Sequence, residues 1–150
     1  MRTIDKRRFI WIGNGTNIKS LLYRGEAARA CVITALFPSV DIRIYNVYAQ
    51  PTTMNEVIEG LAKALERHLP RFHLPASLVL QLADVLTITR NRGRLSDLRT
   101  TLEKWIADDA YDASQFRETF GFQTEVGLTE DLRREVEWYR SHTHYYICIG

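Results

Sequence analysis

A glycine pair in the segment IWIGNGTNIK, residues 10 to 19, is the first feature of the sequence that could do chemistry. An apolar run that ends in Gly-x-Gly can open a loop that holds the diphosphate of a dinucleotide. Such a loop needs a third glycine three residues after the second one, and an acidic residue about 20 residues further on. Ile18 occupies the place of the third glycine, and no obvious helix follows it. The pattern therefore favours a tight turn at Gly13-Asn14-Gly15 over a diphosphate loop.

Four clusters of polar side chains could bind a metal ion or a phosphate group, and each also has a simpler structural interpretation. They are His68 with His73, His142 with His144, Arg90 with Arg92 and Arg94, and Asp108 with Asp109 and Asp112. Two imidazoles do not complete a tetrahedral metal site, so structural or surface histidines are favoured. Arginines can hold a phosphate through paired hydrogen bonds, but a solvated loop is favoured here. The aspartates are interpreted as caps of helices or turns rather than as a Mg²⁺ site.

The sequence lacks the usual arrangements of catalytic nucleophiles. It contains no Gly-x-Ser-x-Gly elbow and no Gly-Lys-Ser/Thr phosphate loop, and neither cysteine lies in a recognisable cysteine–histidine motif. Cys31 lies in an apolar helical stretch far from Cys148. This position favours a buried free thiol in a reducing compartment over a disulfide. We therefore expect no catalytic residue, no cofactor-binding residue and no metal ligand in the chain.

The composition indicates one ordinary globular domain. The 150 residues are 45% hydrophobic and 25% charged, values that argue against disorder. A net charge of +2 does not support a nucleic-acid or membrane partner. No apolar run reaches the roughly 18 residues that a membrane span needs. We therefore expect a soluble, cytoplasmic protein.

Three apolar segments predict short strands. They are residues 9–12, residues 21–23 and residues 41–49, the last with the sequence DIRIYNVYA. Asn14 and Gly15 would join the first two strands in a hairpin, because both residues tolerate the positive φ of a type I′ turn. Strands this short and this widely spaced do not make an independent sheet unless something completes them.

Five segments predict helices, so the expected fold class is α+β, helix-rich with a few short strands. The first runs over residues 26–37 and ends at Pro38, and the second follows Thr53, which can form a capping box with Glu56. Residues 76–89 are apolar on nearly every side, which indicates a helix that is either deeply buried or covers a partner. A basic loop, RNRGR, separates it from a helix that carries Leu98, Leu102, Trp105 and Ile106, and GLTEDLRREVEWYR forms the last helix.

Four segments in register carry a resemblance to a known family. They are IGNGTNIKSLLYRGEAARACVITAL, IYNVYAQPTTMNEVIEGLAKAL, DDAYDASQFRETFGF and VGLTEDLRREVEWYR. In order and spacing they resemble the C-terminal part of NAD-dependent epimerases and dehydratases. These are the extended short-chain dehydrogenases, which include the nucleotide-sugar 4-epimerases. The resemblance covers residues 1–140, and residues 141–150 form an unmatched tail that we expect to be frayed.

The resemblance implies a chain that corresponds to the substrate-binding portion alone. Family members carry an N-terminal Rossmann domain that holds NAD(P), and this chain has neither its Gly-x-x-Gly-x-x-Gly loop nor a tyrosine followed four residues later by lysine. In the family that lysine lowers the pKa of the tyrosine for proton transfer. Whether the chain is an enzyme is therefore open, and we expect it to bind no cofactor and to be inert alone.

The resemblance also implies two substrate-binding residues. Lys19 falls where sugar-nucleotide epimerases place an arginine against the diphosphate, and Met54 falls near an apolar position that packs on the nucleotide base. A plain core role is the alternative for Met54. The expected partners are a nucleotide sugar and either a second copy or a separate Rossmann-domain chain. A different class of function also stays open, an interaction module that docks through residues 76–89.

The sequence departs from the family pattern at four places. The usual aspartate pair after Tyr23 is replaced by Gly25 and Glu26. Gln115 replaces the lysine of the Ser-Lys-Ala motif, and Asp131 replaces the glycine before Leu132. These changes are typical of relaxed constraints or of a divergent branch.

Overall fold

The computed structural model describes residues 1–38, 43–89 and 92–147. In chain order, the elements of these residues are α1 (Arg2–Asp5), β1 (Trp11–Ile12), β2 (Ile18–Lys19), α2 (Arg24–Leu36), β3 (Thr52–Thr53), α3 (Met54–Leu65), β4 (His73–Leu74), α4 (Ala76–Thr89), α5 (Arg92–Ile106), α6 (Ser114–Phe120) and α7 (Leu128–Ile147). The predicted α+β class is confirmed. No helix in the described ranges is long and apolar enough to cross a membrane.

The chain divides into two compact units. Unit 1 consists of Met1–Ile18 and Thr53–Asp109, and unit 2 consists of Lys19–Thr52 and Ala110–Gly150. In unit 1, α1 lies against α3 and α4 lies against α5. In unit 2, Ala30 of α2 is buried together with Phe116 and Phe122.

Helix α3 forms as the sequence predicts because its signals are local. The Thr53 hydroxyl accepts a hydrogen bond from the Glu56 amide at 3.3 Å, and the Glu56 carboxylate accepts one from the Thr53 amide at 2.7 Å. This reciprocal capping box satisfies two amides that the first turn leaves unpaired. The apolar stripe is buried at Ile58, Leu61, Ala62 and Leu65. The predicted amphipathic helix is therefore confirmed.

The predicted hairpin through Asn14 and Gly15 is wrong. Strand β1 pairs in parallel with β4, so that Trp11 lies opposite His73 and Ile12 opposite Leu74. Gly13 and Gly15 have positive φ angles of 76° and 68°, but Asn14 does not, so the turn is not type I′. Instead the Asn14 side chain accepts hydrogen bonds from the Thr16 amide and hydroxyl at 3.2 and 2.9 Å. An Asn side chain of this kind tightens a turn without a hairpin.

The other two predicted strands are not strands in the described residues. Residues 21–23 and 43–49 have no strand assignment, and residues 39–42 lie outside the described ranges. A backbone hydrogen bond from the Ala49 amide to the Leu21 carbonyl, at 2.9 Å, joins the two segments. Tyr45 instead packs its ring on Phe116 and Phe120, with centroids 5.9 and 5.2 Å away. Tyr45 and Val47 therefore pack against an aromatic core rather than in a sheet, while Ile44 is 93% exposed.

Helix α4 has the predicted bounds but is not deeply buried. Leu78 is 48% exposed and Leu82 is 55% exposed, while Ala83 is buried. Of the two sequence interpretations, deep burial is therefore wrong. The basic loop predicted next is wrong in part, because α5 begins at Arg92. Arg90 lies outside the described residues.

Two further sequence predictions need correction. Cys31 is a free thiol, but it is exposed rather than buried, because it lies on the outer side of α2 beside the exposed Val32. Cys148 lies outside the described residues. The predicted frayed tail is also wrong over its first part, because α7 continues through Arg140 to Ile147.

Candidate functional site

A cavity of about 510 Å³ lies entirely within unit 1. Its lining comes from α1, from the segment around β1, and from α3 and α5. The lining residues are Thr3, Arg8, Phe9, Ile10, Trp11, Ile12, Gly15, Asn17, Met54, Ile58, Thr101, Leu102 and Trp105. Apolar and aromatic side chains predominate, with few polar groups among them. A cavity of this size and lining is typical of a site for a small organic ligand.

Aromatic rings form one wall of the cavity. Trp11 is only 6% exposed, and Phe9 meets it edge-on with ring centroids 5.1 Å apart and planes at 84°. His73 stacks on the same indole, with centroids 5.2 Å apart and planes at 13°. Trp105 from the end of α5 also lines the cavity and is exposed. Exposed aromatic surface in a concave site favours planar or apolar ligand groups.

Hydrogen bonds tie the turn after β1 to the end of α5. The Asn17 side-chain amide donates to the Trp105 carbonyl at 2.8 Å and to the Ala107 carbonyl at 3.3 Å. The Asp108 carboxylate accepts from the Ile18 amide at 2.7 Å. These bonds place Trp105 against the β1 segment. Asp108 therefore joins two segments that are distant in sequence, which differs from the helix or turn cap that the sequence favours.

Glycine at position 15 lets α3 approach the same turn. The Asn55 amide donates to the Gly15 carbonyl at 2.9 Å, and the Asn55 side chain donates to the Asn14 carbonyl at 3.0 Å. A Cβ atom at Gly15 would lie 1.9 Å from the Asn55 side-chain oxygen. Because that distance is far below van der Waals contact, only glycine fits. The first turn of α3, with Met54, is thereby held at the cavity.

The two predicted substrate-binding residues lie in different units. Met54 is half-buried and lines the cavity of unit 1. Lys19 belongs to unit 2, where it is 7% exposed, and it is not among the residues that line this cavity. Of the two, Met54 alone lines this cavity, and substrate binding by either residue stays a prediction. The aromatic wall was missed, because Phe9, Trp11 and Trp105 come from separate segments that no short motif connects.

A buried carboxylate organises unit 2. Glu26 is 4% exposed, and it accepts hydrogen bonds from the Glu125 and Val126 amides at 2.8 and 3.2 Å and from the Arg29 guanidinium at 2.7 Å. Burial alone would raise the pKa of Glu26, but the hydrogen bonds from Arg29 and the two amides outweigh it and lower the pKa. Glu26 stands where the family pattern has an aspartate, and here its role is to fix the segment before α7.

The carboxylate of Asp131, also in unit 2, is partly buried without full hydrogen bonding. Asp131 lies in the first turn of α7, and its Oδ1 atom is buried without a hydrogen-bond partner among the described residues. Burial, together with the negative charge of Glu26, raises the pKa of Asp131 to about 6.

The remaining polar clusters have structural roles where the structure describes them. Asp112 accepts a hydrogen bond from the Ser114 amide at 2.8 Å at the start of α6, as expected of a cap. His142 stacks on Trp138 with ring centroids 4.5 Å apart. His68 lines a second cavity of unit 1, of about 350 Å³. Within the described ranges, no group of three or more His, Cys, Asp or Glu side chains could hold a metal ion.

Comparison with known proteins yields a distant relative. Over 143 residues the chain is 25% identical to a protein of Escherichia coli O157:H7 named N-acetyl-alpha-D-glucosaminyl-diphospho-ditrans,octacis-undecaprenol 4-epimerase. The chain is related to epimerases at this broad level. The similarity covers 92% of the chain but only 42% of the relative's length. No protein-family profile matches the chain, and no solved structure matches it.

Proposed function

We propose that the chain is the substrate-binding part of an epimerase- or dehydratase-like protein, and that the cavity of unit 1 takes part of a nucleotide sugar. The observation that carries this proposal is the 510 Å³ aromatic cavity that contains Met54. The family resemblance assigns to Met54 the role of packing on the nucleotide base. The cavity supplies what such packing requires, because Trp11 and Trp105 add aromatic surface beside the thioether.

The polar groups of the lining support a ligand with a charged end. Arg8 contributes a guanidinium to the cavity, and a guanidinium can hold a phosphate through two parallel hydrogen bonds. Thr3 and Thr101 contribute hydroxyl groups that can donate to or accept from a sugar or a base. The resemblance separately implies a diphosphate contact for Lys19, which belongs to unit 2, and the cavity proposal rests on the groups of unit 1 alone. An amphiphilic ligand with a planar group and a phosphate uses the groups of this cavity.

The relative indicates which sugar to test first. Its name describes an N-acetylglucosaminyl diphosphate joined to undecaprenol. UDP-N-acetylglucosamine carries the same sugar diphosphate with a planar base, so it combines the relative's sugar with the ligand class that the resemblance implies. We take it as the first probe, and dTDP-glucose as a second.

We also propose that the chain alone does not catalyse epimerisation. The tyrosine–lysine couple and the NAD(P) loop of the family are absent from the sequence. Without them the chain has no group placed to exchange a proton during hydride transfer. NAD-dependent epimerisation or reduction by the purified chain would contradict this part of the proposal.

Thermal unfolding with and without ligand tests the binding proposal. A ligand that binds only the folded chain stabilises it by about 2.7 kcal/mol at a concentration 100 times Kd. We expect UDP-N-acetylglucosamine to raise Tm and NAD to leave it unchanged. Met54→Ala should remove most of the increase, whereas Leu82→Ala, an exposed position outside the cavity lining, should keep it. Equal Tm values with and without both sugar nucleotides would contradict the proposal.

A second candidate function is association through α4. Leu78 and Leu82 lie four residues apart and therefore on one face of the helix, and both are exposed. An exposed apolar face of this kind favours association with a partner or a second copy. Sedimentation velocity of the chain and of Leu78→Glu/Leu82→Glu tests this candidate. If α4 mediates association, the unsubstituted chain sediments as a dimer or larger species and the double variant sediments as a monomer. A monomeric unsubstituted chain at high concentration would contradict this candidate.

A further inference from the structure

The pairing of β1 with β4 brings a histidine onto the aromatic wall of the cavity. In this parallel pair Trp11 lies directly opposite His73, and their rings stack with centroids 5.2 Å apart and planes at 13°. Trp11 is buried and lines the cavity, whereas His73 is exposed and does not line it. The imidazole therefore stacks on the Trp11 indole without belonging to the lining of the cavity.

The imidazole is itself held in place from the β4 side. Its Nδ1 atom donates to the Arg71 carbonyl at 3.2 Å, and the Gly13 amide donates to the Leu74 carbonyl at 2.9 Å, which locks β4 to the end of β1. Phe9 supports the indole edge-on. Two rings of the chain itself therefore contact the Trp11 indole. Phe9 meets it edge-on, and His73 stacks on it.

We propose that His73 is a positioning residue of the cavity, and that its stacked imidazole holds the Trp11 indole in the orientation that forms the cavity wall. Its effect on ligand affinity rests on the proposed function, whereas its effect on Trp11 does not. A preorganised wall spares the ligand the cost of ordering the indole on binding. Stacked aromatic pairs contribute enough that loss of the imidazole should weaken ligand binding about threefold to tenfold.

Two substitutions separate stacking from other roles of His73. His73→Ala removes the ring altogether. His73→Phe keeps a ring that can stack on Trp11 but loses the hydrogen bond to Arg71. His68→Ala is the matched control, because His68 is another exposed histidine of unit 1 and lines the second cavity instead. We expect His73→Ala to lose the fixed orientation of Trp11 and His73→Phe to keep it.

Tryptophan fluorescence reads the position of Trp11 without any ligand. The chain has three tryptophans, so Trp105→Phe/Trp138→Phe leaves Trp11 as the sole fluorophore. In this background His73→Ala should shift the emission to longer wavelength and raise the acrylamide quenching constant about twofold or more, since the freed indole moves toward solvent. His73→Phe and His68→Ala should keep the emission and the quenching constant of the background chain.

Ligand affinity provides the second measurement. With all tryptophans present, calorimetric titration with UDP-N-acetylglucosamine should show weaker binding for His73→Ala and near-normal binding for His73→Phe and His68→Ala. An unchanged acrylamide quenching constant in His73→Ala would overturn the positioning role. A quenching constant in His73→Phe as high as that of His73→Ala would overturn it as well. If UDP-N-acetylglucosamine does not bind the unsubstituted chain, the proposed function fails, while the quenching data still decide the role of His73.

Discussion

At the scale of single residues, Glu26 shows how one buried carboxylate can hold a loop. Its Oε1 atom accepts from two consecutive amides, and its Oε2 atom accepts from Arg29. Arg29 in turn lies over the Phe122 ring, 4.6 Å from its centroid, and donates to the Gln123 carbonyl. The segment from Phe122 to Val126 is thus held to α2 by a charged, hydrogen-bonded pair rather than by apolar packing alone.

We predict that Glu26→Ala lowers the free energy of unfolding by about 2–4 kcal/mol, because it leaves two amides and a partly buried guanidinium without their acceptor. Urea unfolding measures the change. Glu125→Ala is the control, since Glu125 is 73% exposed and pairs with the same Arg29 at the surface. We expect that control to change the stability by less than about 1 kcal/mol. Equal losses in the two variants would contradict the role assigned to Glu26.

Asp131 makes stability depend on pH. Burial and the nearby Glu26 charge raise the pKa of Asp131 to about 6 in the folded chain. Glu130 and Glu135 act in the same direction, and Arg134 opposes them. In the unfolded chain an aspartate has a pKa of about 3.9. The folded state therefore binds the proton more tightly. The stability that this proton provides is fully present below about pH 4 and is lost as the pH rises through about 6.

We predict that Asp131→Asn, which stays neutral, matches the unsubstituted chain near pH 4 and is more stable at pH 8. After a discount for partial exposure, the gain is about 1–2 kcal/mol. Urea unfolding at several pH values measures it. Asp112→Asn should show the opposite sign, because the hydrogen bonds from Ser114 lower the pKa of Asp112. Parallel pH profiles for Asp131→Asn and the unsubstituted chain would contradict the prediction.

Cys31 is a free thiol that is exposed on α2, so reagents in solution can reach it. With Cys148→Ser present, we predict that a disulfide reagent such as DTNB modifies Cys31 in the folded chain at a rate within about tenfold of its rate in urea, because the attacking thiolate is equally accessible in both states. A folded-state rate lower by roughly a thousandfold would indicate burial and contradict the structure.

At the scale of elements, the capping box of α3 links local sequence to the cavity. The box fixes the first turn, and that turn carries Met54. We predict that Thr53→Ala costs about 1–2 kcal/mol of unfolding free energy, while Thr53→Ser, which keeps the hydroxyl, costs much less. Urea unfolding distinguishes them. Equal stabilities for the Ala and Ser variants would show that the hydroxyl does not cap the helix.

The five longer helices could be predicted from sequence, whereas α1, α6 and the pairing of the strands could not, for a physical reason. The signals of α3 and of the start of α7 lie within one or two turns of the helix itself. The partner of β1 is β4, about 60 residues away, and each strand is only two residues long. Apolar runs such as residues 43–49 indicate burial, but burial against Phe116 and Phe120 leaves the same pattern as burial in a sheet.

Of the two residues that the sequence predicts to bind substrate, Met54 lines the cavity, and its role in binding stays a prediction. That prediction came from the family resemblance, and the structure places the residue on the cavity. Trp11, Trp105 and His73 give no signal in sequence, because their relation depends on the parallel pairing of β1 with β4 and on the hydrogen bonds of Asn17. A site whose residues come from distant segments can be recognised from the structure but not from a short sequence motif.

At the scale of the whole molecule, the chain is similar to part of a longer enzyme. It spans 42% of the length of the curated relative that it matches. Its unit 1 nevertheless has a cavity with an aromatic wall, built without residues of unit 2. On our account, ligand binding can therefore exist in this chain without the catalytic groups of the family.

The most direct test of this account uses the two methionines of the chain, Met1 and Met54. Labelling their methyl groups with ¹³C gives two NMR signals, and Met1 is an internal control because it does not line the cavity. Titration with UDP-N-acetylglucosamine should shift the Met54 signal in a saturable way and leave the Met1 signal in place, while NAD should shift neither. If the sugar nucleotide leaves Met54 unmoved, or moves both signals alike without saturation, the cavity of unit 1 is not its binding site.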